Sequence, residues 1–435
     1  METGRTCVDP GERDPAVGSE SFQCERLLTA AGLHDAEISR DGAGWSAFQI
    51  LGPASDRPDI AATEPYVVTS LPVDFHCHGL GGRDFSDEQL TDLTWLNERL
   101  RVTGQRCVPT LFLPPQRLAG FVRFAHRFAE RRARGELPLV AGLALEGPLL
   151  ASFGGTPEEG NWAPGRDEWR QLCECGPLGL EYLVLSPDAP EGGAGPGVDE
   201  IVGLLLEHGI RPALGHFRKS HPEASARAIE RIVEVAGRAA AAHLAPPLLT
   251  DHVFNDMPLR FRHAWRTPEE RAARDRELRA ARLSEWTLDN LDELAGPVPA
   301  ALLRAAHAGR IMACLNFDGE HVDLDVCRRV VELVGSDSIV AITDGTDAAT
   351  LGGQTLHRSE HNTLYYQDGG VVAAGSASVD RQMANMRRIG LREIDIWRMV
   401  AFNPERIVGP AGGEASGPPR IATFVDGERR RRAVL

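Results

Sequence analysis

Two histidines separated by one residue, His76 and His78, end an apolar run in the segment Asp74-Phe75-His76-Cys77-His78. Alternate side chains of a β-strand point to the same face, so both imidazoles would project to one side. Imidazole is a frequent ligand of divalent transition metals, and two such groups on one face can bind the same ion. A single strand histidine is more often a core residue, so the spacing of this pair is what indicates metal chemistry.

Four further groups that can bind a metal end later apolar runs, and these are Glu146, His216, His252 and Asp344. For the sixth run, His243 is an alternative to His252. We prefer His252 because the alanines at 239–242 favour a helix before His243. Each group alone is a weak signal. Ligand types at the ends of five runs together predict a metal site.

The elements that would position these groups follow a regular order between residue 67 and about residue 345. Short apolar runs alternate with longer amphipathic segments, which is typical of βα units and a parallel sheet. The runs span residues 67–78, 106–113, 139–150, 181–187, 211–217, 248–254, 310–318 and 338–344. Helix-like stretches span residues 86–103, 116–134, 222–242 and 324–333. Eight units favour a (β/α)8 TIM barrel, whose functional groups collect at the carboxyl ends of the strands.

Three segments remain beside the repeated units. Residues 1–66 are expected to be partly disordered and to contribute strands to a small β-domain, which the C-terminal strands of 411–435 would join. The barrel would then occupy residues 67–410, with a helical insertion at about 258–298. The insertion is dense in Arg and Glu. It is either a solvated helix with i,i+4 ion pairs or a lid or dimer contact over the barrel mouth.

Composition excludes several classes of protein. The net charge of −15 over 435 residues argues against a nucleic-acid partner, which needs a basic face. No run approaches the roughly 20 apolar residues that cross a bilayer, and the N-terminus lacks a secretory pattern. We therefore expect a cytoplasmic protein with no membrane partner. The eight cysteines are expected to be free thiols, since the cytosol is reducing.

The order of these groups makes a family resemblance specific. From about residue 67 to 410 the chain resembles the N-acetylglucosamine-6-phosphate deacetylases of the amidohydrolase superfamily. The resembling segments, in order, are Asp74–Gly79, Pro109-Thr110, Leu145-Glu146-Gly147-Pro148, Gly215-His216, His252-Val253-Phe254-Asn255-Asp256-Met257, Asp318-Gly319-Glu320-His321-Val322, Thr343-Asp344-Gly345, Ala374-Gly375-Ser376 and Asn403-Pro404.

The resemblance implies one or two divalent metal ions. Glu146, His216 and His252 would hold one ion, and His76, His78 and Asp344 would help to hold a second, with Glu146 shared. Zinc is the first expectation, with iron, manganese or cobalt as alternatives, since histidine and carboxylate ligands suit all four. The only lysine, Lys219, follows the fifth run. It cannot supply the carboxylated lysine that related enzymes carry after strand four.

The implied reaction is hydrolysis of an N-acyl C–N bond. A metal lowers the pKa of water to about 7 and polarises the carbonyl. Asp344 would act as general base and then general acid, although a helix N-cap or a plain ligand is the alternative. By resemblance, His321 would lie near the substrate carbonyl, with a surface-loop histidine as the alternative. The resemblance also implies a homodimer and a role in amino sugar metabolism.

Departures from the family pattern concern the substrate. Asn255, Asp256, His321 and Trp162 are the expected substrate contacts. Trp162 stands where the family has histidine, and Asp256 stands where it has alanine. The phosphate-binding arginine has no clear equivalent, with Arg260, Arg262 and Arg266 as candidates. The small-molecule substrate is therefore N-acetylglucosamine 6-phosphate or another N-acyl compound of specialised metabolism. Deaminase or cyclic amidohydrolase chemistry, and a non-catalytic barrel used for binding, are the alternatives.

Overall fold

The computed structural model describes residues 20–41, 44–52, 60, 64–87, 92–189, 195–239, 244–262, 264–409 and 421–434. The strands are β1 (Glu20–Thr29), β2 (Gly32–Asp41), β3 (Gly44–Ile50), β4 (Tyr66–Val68), β5 (Val73–Cys77), β6 (Gly79–Leu80), β7 (Arg83–Asp84), β8 (Arg106–Leu111), β9 (Leu143–Glu146), β10 (Leu180–Leu185), β11 (Arg211–Leu214), β12 (Leu248–His252), β13 (Ile311–Asn316), β14 (Ile339–Ile342), β15 (Thr350–Leu351), β16 (Gln354–Thr355), β17 (His357–Arg358), β18 (Leu364–Tyr366), β19 (Val372–Gly375), β20 (Ala422–Val425) and β21 (Arg431–Val434). The helices are α1 (Thr94–Thr103), α2 (Leu118–Ala133), α3 (Arg166–Cys173), α4 (Val198–Glu207), α5 (Pro222–Ala239), α6 (Pro268–Ala280), α7 (Leu291–Leu294), α8 (Pro297–His307), α9 (Leu324–Val334), α10 (Val379–Arg388), α11 (Glu393–Trp397) and α12 (Asn403–Val408).

Eight parallel strands form one sheet in the order β14-β13-β12-β11-β10-β9-β8-β5. The sheet closes on itself at its two ends. The backbone N–H of Asp344 donates to the carbonyl of His76 at 3.0 Å, and that of His78 donates to the carbonyl of Gly345 at 2.8 Å. At least one helix follows each of the eight strands along the chain. The predicted (β/α)8 barrel is therefore confirmed.

Each predicted apolar run contains one barrel strand, with one adjustment at the start. The run at 67–78 divides between two sheets, because Tyr66–Val68 pairs outside the barrel and only Val73–Cys77 lies within it. The prediction of a helix from Ser86 was wrong. That helix begins at Thr94, and the Ser86 hydroxyl instead accepts a hydrogen bond from the N–H of Phe112 at 2.8 Å. Residues 88–91 lie outside the described residues.

Two apolar clusters hold the barrel together. The smaller cluster takes side chains from all eight barrel strands, for example Val73 and Phe75 of β5 and Leu249 of β12, and therefore fills the barrel interior. The larger cluster joins the outward strand residues to the apolar faces of the surrounding helices. Alternation along the strands produces the two layers, since successive side chains point to opposite faces.

A separate six-stranded sheet has the order β21-β20-β4-β1-β2-β3. It combines strands from both ends of the described chain, as the sequence predicted for a small β-domain. Tyr66 of β4 connects this sheet to the C-terminal helices. Its hydroxyl donates to Glu393 Oε2 at 2.6 Å and accepts from the indole N–H of Trp397 at 2.9 Å.

The insertion after β12 contains the helices α6 and α7. Most of α6 is exposed, but Arg274 is only 4% exposed and pairs with Asp323 at 2.6 Å. Trp286 is fully buried and its ring centroid lies 6.3 Å from that of Phe254 and 5.9 Å from that of Phe261. The insertion is therefore packed on the barrel. None of the helices in the described ranges is long and apolar enough to cross a membrane.

Candidate metal centre

Glu146, at the end of β9, lies at the centre of a buried cluster of imidazoles. Its Oε1 is 2.7 Å from His216 Nε2 and 3.6 Å from His252 Nε2. Its Oε2 is 3.0 Å from His78 Nε2 and 3.4 Å from His76 Nε2. Each carboxylate oxygen therefore faces a different pair of histidines. This is the arrangement that a carboxylate shared between two cations requires.

Asp344, just after β14, lies on the side of the cluster that holds the histidine pair. Its Oδ1 is 3.3 Å from His78 Nε2. Its Oδ2 accepts from the Asn255 amide at 3.3 Å and lies 3.6 Å from His321 Nε2. The imidazole of His321 is oriented from its other side by Asp318, whose Oδ2 is 2.6 Å from Nδ1. The structure thus brings Asn255 and His321 to one carboxylate.

Asp251 belongs to the same cluster, and the sequence analysis did not select it. Its Oδ2 is 3.0 Å from His252 Nε2 and 3.3 Å from His216 Nε2. Strict alternation from Leu249, which lies in the interior cluster, places Asp251 on the inner face. A register irregularity between Leu249 and His252 lets the next residue reach the cluster as well. Alternation from Leu249 was the available signal, but sequence alone does not show which face is interior.

Burial and charge act in opposite directions on the ionisable groups of the cluster. Burial disfavours the charged imidazole of His78, but hydrogen bonds to Asp344 and Glu146 outweigh it and raise the pKa of His78 to about 10. For His252, burial is likewise outweighed by the charge of Asp251 and contact with Glu146, and its pKa rises to about 9. Burial is also outweighed at Glu146, whose pKa is held well below its usual range by the surrounding imidazoles. The carboxylates therefore strongly favour positive charge in this cluster, either on the imidazoles or on a bound cation.

The donor set fits a divalent metal ion. Ligand atoms of Glu146, His216, Asp251 and His252 all lie within 4.8 Å of one another, as do those of His76, His78 and Glu146. Both Asp251 oxygens are buried and make no hydrogen bond within the described residues, although imidazole nitrogens lie nearby. Buried carboxylate oxygens are normally satisfied. Carboxylate oxygens without a hydrogen bond, placed beside imidazole nitrogens and Glu146, suit shared metal coordination.

The backbone at this edge of the barrel is strained at residues of the site. His216, Phe254, Asp256 and Asp344 have φ values of +53°, +71°, +38° and +46°. Residues other than glycine rarely adopt this region, and such conformations persist where surrounding structure enforces them, often at functional sites. The strain coincides with the ends of β11, β12 and β14, where the ligand groups are presented.

A cavity of about 220 Å³ opens beside the cluster and is lined by Glu146, His216, His252 and Asp344. Its polar wall also includes Asn255, Asp256, Lys219, Arg262 and Thr156. Asp256 does not stand unpaired beside this cavity, because its Oδ1 is 2.7 Å from Lys219 Nζ.

A second cavity, of about 790 Å³, adjoins the first and shares Lys219, Arg262 and Met257 with it. Its wall includes four cations, Lys219, Arg260, Arg262 and Arg266, and two carboxylates, Glu270 and Glu277. The arginines predicted from the sequence as phosphate contacts therefore line one continuous space. Arg262 is paired with Glu277 at 3.1 Å and Arg266 with Glu270 at 3.7 Å, and Lys219 is paired with Asp256.

Two predicted substrate contacts, Trp162 and His321, do not line the smaller cavity among the described residues. The indole N–H of Trp162 donates to the carbonyl of Leu113 at 2.8 Å, and the ring packs against the main apolar cluster. Trp162 is absent from the cavity lining in the part of the chain that the structure describes. His243, the alternative to His252, lies outside the described residues.

Neither a protein-family model nor a curated protein matches the sequence. Solved structures match over nearly the whole chain. An N-acetylglucosamine-6-phosphate deacetylase from Pasteurella multocida is 17% identical with a TM-score of 0.67, covering 96% of this chain and 98% of its own. The Thermotoga maritima N-acetylglucosamine-6-phosphate deacetylase is 15% identical, with the same TM-score and coverage.

A variant of the N-acetyl-D-glucosamine-6-phosphate deacetylase from Mycobacterium smegmatis, in complex with N-acetyl-D-glucosamine-6-phosphate, is 19% identical with a TM-score of 0.65. The match covers 96% of this chain and 97% of that one. At these identities the comparisons show that the chain has the fold of these enzymes, including both the barrel and the small β-domain.

Proposed function

We propose that this chain is a metal-dependent hydrolase that cleaves the N-acyl C–N bond of an N-acetylated amino sugar. The observation that carries the proposal is the buried cluster around Glu146. It presents imidazole and carboxylate donors at the carboxyl ends of the barrel strands, where (β/α)8 enzymes have their active sites. The likeness in fold to N-acetylglucosamine-6-phosphate deacetylases supports the same reaction class.

The residues divide into two ligand groups in this proposal. Glu146, His216, His252 and Asp251 hold one divalent ion, and His76, His78 and the shared Glu146 hold a second, with Asp344 beside it. A bound divalent ion supplies a Lewis acid that acidifies water and polarises the amide carbonyl. Zinc is the metal we propose first, because its usual donors are imidazole and carboxylate groups of this kind.

Asp344 is the proposed general base and acid. Burial raises the pKa of a carboxyl group, but contact with His78 and the charge of nearby imidazoles outweigh it and hold the pKa of Asp344 below its usual range. The group is therefore a carboxylate at neutral pH. Its Oδ2, on the side away from His78, can take the proton of the attacking water and pass it to the leaving amine. Asn255 and His321 orient that oxygen.

The cations of the larger cavity support an anionic group on the substrate. The smaller cavity accommodates the acetamido end, and the rest of the molecule would then extend towards Lys219, Arg260, Arg262 and Arg266. Arginine and lysine bind phosphate through charge-assisted hydrogen bonds. We therefore propose N-acetylglucosamine 6-phosphate as the first substrate to test. Asp256 does not repel a phosphate strongly, since Lys219 neutralises it.

The test is acetate release from N-acetylglucosamine 6-phosphate and from unphosphorylated N-acetylglucosamine, with metal content measured on the same preparation. Release that requires bound metal and favours the phosphorylated sugar would support both the reaction and the substrate. Metal binding with release from neither sugar would exclude this substrate. It would direct the search to other N-acyl compounds, to amino-bearing substrates of deaminases or to cyclic amides.

The wider setting belongs to the same proposal. We propose a homodimer acting in the cytoplasm in amino sugar metabolism, without a nucleic-acid partner. The net charge of −15 supports the last point, and free thiols at the six described buried cysteines suit a reducing compartment. We also propose that residues 67–410 form the catalytic unit and that 1–66 and 411–435 supply the small β-domain.

A further inference from the structure

Asp256 lies behind a histidine of the cluster, on the side away from Glu146. Its Oδ2 is 2.9 Å from His216 Nδ1, and its Oδ1 is 2.7 Å from Lys219 Nζ. The Ser152 hydroxyl donates to Oδ1 at 3.3 Å. The Asp256 side chain is only 6% exposed, whereas that of Lys219 is 59% exposed. A buried carboxylate therefore joins an imidazole of the cluster to the only lysine of the chain.

The surrounding backbone accommodates this carboxylate. A Cβ atom at Gly154 would lie 2.7 Å from Asp256 Cγ and 2.8 Å from its Oδ2, so any larger residue there would displace the side chain. Asp256 itself has a φ of +38°, a conformation that costs free energy for a residue with a side chain. The glycine at position 154 therefore leaves room for the Asp256 carboxylate, and the Asp256 backbone is held in a strained conformation.

The position of the carboxylate determines what it can do. His216 presents Nε2 to the cluster, 2.7 Å from Glu146 Oε1, so Nδ1 must carry its proton when Nε2 binds a cation. Nδ1 donates to the Ser152 carbonyl at 3.0 Å. Asp256 Oδ2 makes no hydrogen bond within the described residues, and it adds a full negative charge 2.9 Å from the same nitrogen. A carboxylate behind a metal-binding imidazole fixes its tautomer and ring orientation and increases its basicity.

We propose that Asp256 is a positioning residue that holds His216 for metal binding, with Lys219 offsetting its charge at the border of the two cavities. The sequence analysis assigned Asp256 to the substrate, and it does line the smaller cavity; the inference adds a role at the metal site. This inference rests on the metal site of the proposed function but not on the identity of the substrate.

The test compares zinc affinity, measured by chelator competition on zinc-free protein, among the unaltered chain, Asp256→Ala, Asp256→Asn and Lys219→Met. We expect Asp256→Ala to weaken zinc binding by about 10- to 100-fold. Asp256→Asn should lose less, because its amide oxygen still places a partial negative charge beside Nδ1. Lys219→Met should stay within about 3-fold, since a largely exposed ammonium is screened by water.

Thermal unfolding of the zinc-free proteins separates positioning from general stability. A changed zinc affinity with similar unfolding temperatures, partly restored in Asp256→Asn, supports the inference. If Asp256→Ala does not fold, a lower zinc affinity of Asp256→Asn than of Lys219→Met supports it, and equal affinities overturn it. Zinc affinity of Asp256→Ala equal to that of the unaltered chain also overturns it.

Failure of the proposed function would give a different result. Zinc binding without acetate release by the unaltered chain contradicts the proposed substrate, while the affinities of the variants still decide the role of Asp256. An unaltered chain that binds no zinc contradicts both proposals together.

Discussion

Glu146 and Asp344 are both buried carboxylates in contact with imidazoles, but their surroundings give them different roles. Both oxygens of Glu146 face ring nitrogens of the cluster. Asp344 shares only Oδ1 with the histidine pair, and its Oδ2 faces Asn255 and His321. Glu146 is therefore suited to bridging, whereas Asp344 keeps one oxygen available for proton transfer.

Replacing Asp344 by asparagine should separate these roles. Asp344→Asn removes the proton acceptor but keeps a side chain of similar shape, so we expect kcat to fall by about 10²- to 10⁴-fold. The ion held by Glu146, His216 and His252 should remain. Steady-state kinetics with metal analysis measures both quantities, and Asp368→Asn, at a 91% exposed side chain, is the control. Unchanged kcat in Asp344→Asn would contradict its role in proton transfer.

Most residues of the cluster could be predicted from the sequence. The spacing of His76 and His78 and the residues ending the later runs were enough to predict groups that the structure brings together. Asp251 was missed because His252 follows it directly and strict alternation allows only one of them to face inward. Trp162 was expected at the substrate because of its place in a motif, and its hydrogen bond to Leu113 could not be foreseen.

Among the elements, the insertion after β12 depends on one aromatic residue. Trp286 is buried against Phe254, which follows β12, and its indole N–H donates to the carbonyl of Ala281 at 2.8 Å. Phe254 lies two residues from His252 and two from Asp256. Packing of the insertion therefore supports the segment that carries these side chains.

We expect Trp286→Ala to lower the free energy of unfolding by about 3–5 kcal/mol, because it opens a cavity and removes aromatic contacts. Denaturant unfolding measures the change. Val102→Ala, at a side chain 79% exposed, is the control and should change stability little. A loss below about 1 kcal/mol for Trp286→Ala would show that the insertion contributes little to the barrel.

Glu181 on β10 gives stability a predictable pH dependence. Burial, only partly opposed by Arg132, raises the pKa of Glu181 from 4.5 to about 7. The folded protein therefore binds this proton more tightly than the unfolded chain does. The contribution of Glu181 to the free energy of unfolding is fully present below pH 4.5 and is lost as pH rises towards 7.

Glu181→Gln should therefore gain stability relative to the unaltered protein as pH rises from 5 to 8, on the order of 2 kcal/mol after allowance for its partial exposure. Urea unfolding at several pH values measures this difference. Glu130→Gln, at an exposed position of α2, is the matched control. Parallel stability profiles for Glu181→Gln and the unaltered protein would show that Glu181 is not the source.

The elements were predictable to different degrees. Eight barrel strands and most long helices follow from hydrophobic periodicity, which is strong over runs of this length. The five strands of β15–β19 were not predicted, because strands of two to four residues contain too few positions to establish a period. They pair locally with one another, β15 with β16 and β18 with both β17 and β19.

For the whole molecule, metal binding and stability should be linked. A metal that binds only the folded state adds free energy on the order of 4 kcal/mol when it is present at about 1,000 times its Kd. Removing the metal would withdraw this contribution.

We therefore expect the thermal midpoint to fall on chelation and to recover when zinc is restored, as measured by calorimetry. Glu146→Gln loses the shared ligand, so its midpoint should respond much less to either treatment. If chelation removes all the metal from the unaltered protein and its thermal midpoint does not change, the linkage is contradicted.

The contact between the first and last barrel strands, β5 and β14, affects the order of folding. The thiol of Cys77 donates to the carbonyl of Gly345, and these residues are 268 positions apart. Bringing such distant segments together carries a large loop-closure entropy, and contacts of this kind form slowly. Asp344 can therefore meet His76 and His78 only after the intervening strands have assembled. A growing or truncated chain that ends before β14 would carry the proposed metal ligands but lack Asp344, so the proposed general base would join the metal site only when the barrel closes.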